Sequence, residues 1–116
     1  MTAQNQRTFP RITAAVEVSY ECGGGSFTDQ TMDLSARGLY IVTGRPLEIG
    51  STLTVSFNLP GFDHNFRIGG RVVRNRLDDA LGSPAGMGIE FLDVDEEDER
   101  VLIQFVVQSQ LTQKGY

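Results

Sequence analysis

Short runs in which apolar and polar residues alternate recur along most of this 116-residue chain. In the clearest run, residues 52–59, the side chains of Leu53, Val55 and Phe57 alternate with polar neighbours. A period of two is typical of a strand that buries one face, whereas the apolar residues of an amphipathic helix recur every three to four positions. The pattern therefore predicts a sheet-rich fold. Further strands are predicted at residues 16–20, 26–34, 39–42, 65–77 and 87–91.

Glycine and proline separate these runs and indicate where the chain turns. Residues 23–25 are three consecutive glycines, and Pro60-Gly61 follows the run at 52–59. Gly69-Gly70 interrupts the alternation of the longest run, which predicts a bulge or a bend there. Six antiparallel strands that close into a barrel leave no exposed sheet edge. The predicted fold is therefore all-β, a six-stranded antiparallel β-barrel with one C-terminal α-helix.

The predicted helix covers residues 101–111 and follows an acidic run at 95–99. Acidic side chains in a first turn suit the positive end of the helix dipole. The alternating acids Asp93, Asp95 and Glu97 resemble calcium ligands, but the turn glycine and the final glutamate of an EF-hand loop are missing. A capped helix start is the preferred interpretation, and no metal site is predicted.

Apolar residues surround much of this helix. Those expected to face the barrel are Leu102, Phe105 and Val106, together with Ser109, while Val101, Ile103 and Val107 lie elsewhere. Two explanations remain open: the helix has a second packing surface, such as a homodimer contact, or its end is deeply buried.

Composition excludes several classes of protein. No apolar run approaches the roughly 20 residues that span a bilayer, so no membrane insertion is predicted. The polar N-terminus lacks the apolar core of a secretory signal, and one cysteine, Cys22, cannot form an internal disulfide. These features together predict a cytoplasmic protein.

Charge is unevenly distributed along the chain. The net charge is −5, yet residues 1–76 hold eight arginines and six acids, a balance of +2. An acidic chain is a poor binder of duplex nucleic acid, whose non-specific affinity comes from phosphate neutralisation. A small anion needs only a local cluster of arginines, so the distribution favours a nucleotide ligand over a duplex.

Two short motifs carry the candidate site. Arg7 and Arg11 lie in a polar leader at residues 1–11, which is expected to be flexible and extended because Pro10 disfavours helix before it. The folded domain is expected at residues 12–112. Within it, residues 33–38 read Asp-Leu-Ser-Ala-Arg-Gly. This second motif is predicted at the end of a strand, with Asp33 and Ser35 facing outward on the same side.

The chemistry of the two motifs is complementary. The planar fork of an arginine grips a phosphate, or the O6 and N7 atoms of guanine, with two hydrogen bonds. The N1 and N2 edge of guanine carries donors, for which the Asp33 carboxylate is an acceptor. Gly38 allows positive φ and close approach of the backbone where the chain turns. A guanine-containing ligand with two phosphates matches these groups.

The order RxxxR at residues 7–11, then DxSxxG at residues 33–38, resembles the paired signature of PilZ domains, and the resemblance covers essentially the whole chain. It implies a receptor for cyclic di-GMP. Arg7 and Arg11 match the arginines that bind phosphate and the Hoogsteen edge of guanine, while Asp33 and Ser35 match the pair that holds the base.

Other residues are assigned to the same site. Gly38 matches the last glycine of the signature. Gly88 resembles a last-strand glycine that keeps the pocket open, against the alternative that it marks a bulge at a barrel corner. Arg37 and Arg71 are candidate auxiliary ligand contacts, against the alternative that both are surface charges. The residue at position 6 lies where the family varies, so one ligand or a stacked pair remains open.

Three functions are weighed. The first is a cyclic di-GMP receptor that changes conformation and signals to an unknown protein partner. The second is a PilZ-like adaptor that binds proteins without nucleotide. The third is an enzyme, which is disfavoured because His64, the single histidine, is remote in sequence from Ser35 and is expected to be an exposed loop residue. No cofactor is predicted beyond the ligand itself.

Overall fold

The computed structural model describes residues 9–78 and 83–114. These residues form seven strands and one helix. The strands are β1 (Ile12–Thr13), β2 (Glu17–Cys22), β3 (Gly25–Ser35), β4 (Gly38–Val42), β5 (Thr52–Asn58), β6 (Asn65–Arg76) and β7 (Gly86–Leu92), and the helix is α1 (Glu96–Lys114).

Six of the strands close into an antiparallel barrel in the order β3-β2-β5-β6-β7-β4, because β4 pairs back onto β3. The predicted six-stranded barrel with a C-terminal helix is therefore confirmed. The seventh strand, β1, is an addition that places Ile12 opposite Leu34 and Thr13 opposite Asp33. Two residues are too few to show an alternation, so β1 was not predictable from periodicity.

The turn between β2 and β3 shows why the strands begin and end where they do. Cys22 pairs with Gly25 across a two-residue loop, in which Gly23 and Gly24 both have positive φ, 59° and 85°. This is the backbone that a tight hairpin turn requires, and glycine adopts it without steric cost. The glycines thus set the register of the hairpin.

The core is built from the inward positions of the alternating runs. Val18, Val55 and Val72 are fully buried inside the barrel, and Phe57 stacks on Phe66 with ring centroids 4.7 Å apart. Apolar burial of this kind contributes roughly 25 cal/mol per Å² of area removed from water. The barrel therefore has a continuous core that holds its wall in one geometry.

The helix α1 joins this core through one face only. Leu102 and Val106 are buried, as predicted, whereas Ile103, Val107 and Leu111 form an exposed apolar stripe. The alternative of a deeply buried helix end is therefore wrong, because one apolar side of the helix faces solvent.

The start of α1 is fixed by two polar contacts. The Asp95 carboxylate accepts a hydrogen bond from the backbone N–H of Asp98 at 2.8 Å, which is an N-cap. Nε2 of His64 lies 2.7 Å from the Asp98 carboxylate. The expectation of an exposed His64 is wrong, because this contact and the neighbouring Phe66 ring half-bury the imidazole.

The bulge in β6 lies at a different place from the one predicted. Gly69 and Gly70 keep a regular register with both neighbouring strands, and the shift occurs between Val72 and Arg74, opposite β7. Gly70 is required for space instead, since a Cβ atom there would lie 2.5 Å from the Ile89 side chain.

Candidate functional site

The outer wall of the barrel brings together residues that are distant in sequence. In the register of β3, β4, β7 and β6, Asp33 pairs with Tyr40, Tyr40 with Gly88, and Gly88 with Arg74. These four residues form one lateral row, which we call the Asp33 row. Because the neighbours of Tyr40 in β4 point into the core, Tyr40 lies on the outer side of the wall.

Arg11 joins this row directly. Its Nη1 atom lies 2.5 Å from Oδ1 of Asp33, with the arginine side chain 44% exposed and the aspartate 18%. The strand β1, which begins at the next residue, pairs with β3 and so delivers Arg11 to the site. The two sequence motifs therefore meet in space across 22 residues of chain. Arg7, the other arginine of the first motif, lies outside the described residues.

Ser35 does not face outward as predicted. It is 1% exposed, and its hydroxyl accepts a hydrogen bond from the backbone N–H of Arg37 at 3.0 Å. The same hydroxyl lies 3.5 Å from the carbonyl of Gly38. Short polar side chains often bind the backbone two residues on and so stabilise a turn. The hydroxyl of Ser35 holds the turn between β3 and β4.

Gly38 is needed for close approach and not for an unusual φ. Its φ is not in the positive region adopted by Gly23 and Gly24, so that part of the expectation is wrong. A Cβ atom at position 38 would lie 2.1 Å from the backbone oxygen of Ile89 in β7. The glycine therefore allows β4 and β7 to pair at the turn.

Arg37 contacts the leader. Its guanidinium carbon lies 4.4 Å from the centre of the Phe9 ring, a cation–π geometry. Phe9 and Pro10 in turn line a cleft of about 230 Å³ with Ala36 and the exposed side of α1. Arg37 is thus next to the Asp33 row, and it ties the chain just before Arg11 to the turn and the helix.

Gly88 leaves room for an arginine that the sequence did not single out. A Cβ atom on Gly88 would lie 3.0 Å from Nε of Arg74, so the arginine side chain crosses the glycine. The guanidinium of Arg74 lies 5.9 Å from the Tyr40 ring centre. Arg74 is therefore the second cation of the Asp33 row, and the β6 bulge places it there.

Arg71 lies in the adjacent row. It pairs with Glu90, and their side chains approach to 3.6 Å with both about half exposed. Glu90 in turn pairs with Gly38. The structure thus places Arg71 near the turn, with its charge opposed by a carboxylate, and places Arg74 with Asp33.

The size of the cavities on the barrel wall does not follow the position of the Asp33 row. The surface beside Tyr40 and Arg74 holds a shallow cavity of about 110 Å³, and a larger one of about 570 Å³ lies at the other end of β3. The Asp33 row therefore lies beside the smaller of these two cavities.

Two further findings bear on the class of protein. Among residues 9–78 and 83–114, no three His, Cys, Asp or Glu side chains cluster closely enough to hold a metal ion. In the same described part of the chain, α1 is not apolar enough to cross a membrane.

The fold and site define a small antiparallel β-barrel domain with an arginine–aspartate site on its outer wall. The chain belongs to the PilZ domain family, whose model matches residues 5–108. A search of curated proteins found none that matches the sequence.

Solved structures of the same fold include several PilZ proteins. The Bacillus subtilis inhibitor of motility MotI/DgrA aligns with a TM-score of 0.81 and 20% identity, over 94% of this chain and 53% of its own. The PilZ domain of Escherichia coli YcgR, solved with c-di-GMP, gives 0.67 and 15%, over 96% and 99%. The K. pneumonia MrkH–c-di-GMP complex gives 0.72 and 16%, over 93% and 54%. The chain thus spans about half the length of MotI/DgrA and of MrkH.

Proposed function

We propose that this protein is a non-catalytic receptor for cyclic di-GMP that changes conformation on binding and signals to a partner protein in the cytoplasm. The observation that carries the proposal is the contact between Arg11 and Asp33, which joins the two motifs in one site. Membership of the PilZ family supports it, as do similar folds solved with c-di-GMP.

The roles of the residues follow from their chemistry. Arg7 and Arg11 supply cations for phosphate and for guanine O6 and N7, and Asp33 accepts the N1 and N2 protons of the base. Arg74 adds a guanidinium at the far end of the Asp33 row, where it stacks on a base or pairs with a phosphate. Gly88 leaves room for the Arg74 side chain to cross the strand at this point.

The turn residues have supporting roles. The Ser35 hydroxyl and Gly38 hold the turn that presents Asp33. Arg37 contacts the Phe9 ring and turns to a phosphate of the ligand once the leader moves. Arg71 provides an additional positive charge beside the site, reduced by its pairing with Glu90.

The conformational change begins with an exchange of partners. In the structure, Arg11 contacts the Asp33 carboxylate that the guanine needs. An exposed ion pair of this kind contributes only about 0–1 kcal/mol, whereas each hydrogen bond to a charged group contributes roughly 1.5–3 kcal/mol. The free energy gained from the hydrogen bonds to the ligand therefore exceeds the free energy needed to separate Arg11 from Asp33. Movement of Arg11 carries Phe9 with it and alters the cleft against α1.

A second function is favoured by a separate observation. The exposed stripe of Ile103, Val107 and Leu111 on α1 is suited to a protein contact, either a homodimer through the helix or a partner. An adaptor that uses this stripe needs no nucleotide. Titration with cyclic di-GMP separates the two functions, because the adaptor gives neither heat nor amide shifts.

Calorimetry tests the proposed receptor. Arg11→Ala and Asp33→Ala are each expected to weaken cyclic di-GMP binding at least tenfold, with thermal unfolding close to that of the wild type. Arg67→Ala is the matched control, because Arg67 is an exposed arginine of β6 outside the Asp33 row. Unchanged affinity in both site variants contradicts the site, and recovery of the dinucleotide intact after incubation supports the absence of catalysis.

A further inference from the structure

The β2–β3 hairpin extends beyond the point where β4 ends. On one side, β3 pairs with β2 from Gly25 to Gln30. On the other side it pairs with β4 only from Gln30 onward. Among the strands of residues 9–78 and 83–114, none pairs with this second side of β3 between Gly25 and Asp29. The closed barrel thus has a short open edge at one end.

The direction of the backbone groups along this edge follows from the observed hydrogen bonds. The Thr31 N–H donates to Val16, on the β2 side. Successive residues of a strand point their N–H and C=O groups to opposite sides, so Phe27 and Asp29 also point toward β2. The N–H and C=O groups of Ser26 and Thr28 therefore point to the open edge.

A groove lies beside this edge. Its volume is about 570 Å³, and its walls are the hairpin and the chain after β4, including Thr43, Arg45 and Leu47. The Phe27 ring is 44% exposed and lies 5.6 Å from the ring of Tyr20. Apolar side chains from Phe27 and Leu47 line part of the groove.

The floor of the groove holds a fixed carboxylate. The Tyr20 hydroxyl donates a hydrogen bond to Oδ2 of Asp29 at 2.7 Å. Burial, aided by this bond, raises the pKa of Tyr20 to about 12, so the phenol stays a donor at neutral pH. Asp29 forms no ion pair with any side chain of the described residues. Arg45 lines the same groove but forms no ion pair with Asp29, so the carboxylate is available for a cation from outside.

We propose that this edge docks an extended segment of a partner protein, which adds to β3 as an antiparallel strand. Ser26 and Thr28 supply the backbone hydrogen bonds, as in other cases of strand addition. An apolar side chain of the segment lies opposite Phe27, and a Lys or Arg two positions toward its N-terminus reaches Asp29. The surface is separate from the Asp33 row, so the proposal does not depend on nucleotide binding.

Charge favours a basic segment over a second copy of this chain. Two β3 edges paired about a two-fold axis at Phe27 would place Ser26 opposite Thr28 and Gly25 opposite Asp29. That arrangement offers no cation to either Asp29 carboxylate. A partner strand that carries a Lys or Arg at this position satisfies it.

The probe is the blocked peptide acetyl-Thr-Lys-Thr-Val-Thr-Val-amide, titrated into the full chain and followed by amide NMR. The expected result is saturable shifts at residues 25–29 and slowed amide exchange at Ser26 and Thr28. Ser26→Pro removes an edge N–H without removing a bond to β2 and is expected to weaken binding at least fivefold, whereas Ser26→Ala leaves it unchanged.

Charge is tested on both sides of the contact. Replacement of the peptide lysine by glutamate, or Asp29→Asn in the protein, is expected to weaken binding at least fivefold. The proposal is overturned by the absence of shifts at millimolar peptide. It is also overturned if shifts at residues 25–29 depend on protein concentration alone, which identifies a second copy as the occupant. Thermal unfolding of Ser26→Pro, compared with that of Ser26→Ala, serves as the control for folding.

Discussion

Arg74→Ala is the substitution that best separates the structural assignment of the site from the sequence-based one. Arg74 crosses Gly88 in the Asp33 row, whereas Arg71 lies in the adjacent row beside Glu90. Loss of an arginine that makes one charge-assisted hydrogen bond to the ligand removes roughly 1.5–3 kcal/mol. At about 1.4 kcal/mol per tenfold change in affinity, this corresponds to about 10- to 150-fold weaker binding of cyclic di-GMP.

Arg71→Ala is the matched control, because it removes an arginine from the same strand. We expect less than a threefold loss, since the charge of Arg71 is already opposed by Glu90. Arg74→Lys is expected to give an intermediate loss, because lysine keeps the charge but lacks the planar fork.

The assay for these variants is calorimetry at one fixed salt concentration, with thermal unfolding as a check that each variant folds. Arg74 is an exposed residue, so its replacement is expected to change the free energy of unfolding by less than about 1 kcal/mol. Equal losses for Arg71→Ala and Arg74→Ala, or a larger loss for Arg71→Ala, would refute the assignment of Arg74 to the ligand site.

Three further predictions concern stability. Gly38→Ala is expected to lower the free energy of unfolding by about 1–3 kcal/mol, because its Cβ would lie 2.1 Å from a β7 backbone oxygen. Gly44→Ala is the control, because a Cβ there lies in open space, and it is expected to lower the free energy of unfolding by less than about 1 kcal/mol. Urea denaturation measures both. Burial raises the pKa of Tyr20 to about 12, above its unfolded value near 10. The protonated Tyr20 phenol therefore makes its full contribution to stability below pH 10, and this contribution is lost as the pH rises toward 12. In alkaline unfolding, Tyr20→Phe is expected to show a weaker dependence of stability on pH. His64→Ala is expected to lower the free energy of unfolding by about 0.5–1.5 kcal/mol and to speed amide exchange in the first turn of α1. An equal effect of His64→Ala in a variant that already carries Asp98→Ala would argue against the His64–Asp98 contact as the cause.

Much of the barrel could be predicted from sequence because its determinants are local. The strand predicted at residues 52–59 is observed as Thr52–Asn58, and the glycines at 23 and 24 form the expected turn. Alternation reports directly on which side chains are buried, and the acidic run before α1 reports on the helix start. These signals can be read without knowing which strands pair with each other.

The parts that could not be predicted depend on contacts between strands. The face on which Arg74 lies is set by a one-residue register shift against β7. The need for glycine at position 38 comes from Ile89, about fifty residues away. Burial of Ser35 likewise follows from the turn that its hydroxyl stabilises, and not from its place in a strand.

The Asp33 row also fixes the spacing between the two ends of the proposed site. Neighbouring strands lie about 4.8 Å apart, so the path along the barrel wall from Asp33 to Arg74 crosses three strand spacings, roughly 14 Å. For the proposed ligand, this spacing favours bivalent binding. A molecule with two guanylate halves contacts both ends of the row, and binding of one half raises the effective concentration of the other. A single guanylate contacts one end only. The proposed site therefore discriminates against mononucleotides by length, because a mononucleotide is too short to contact both ends of a row that crosses four strands.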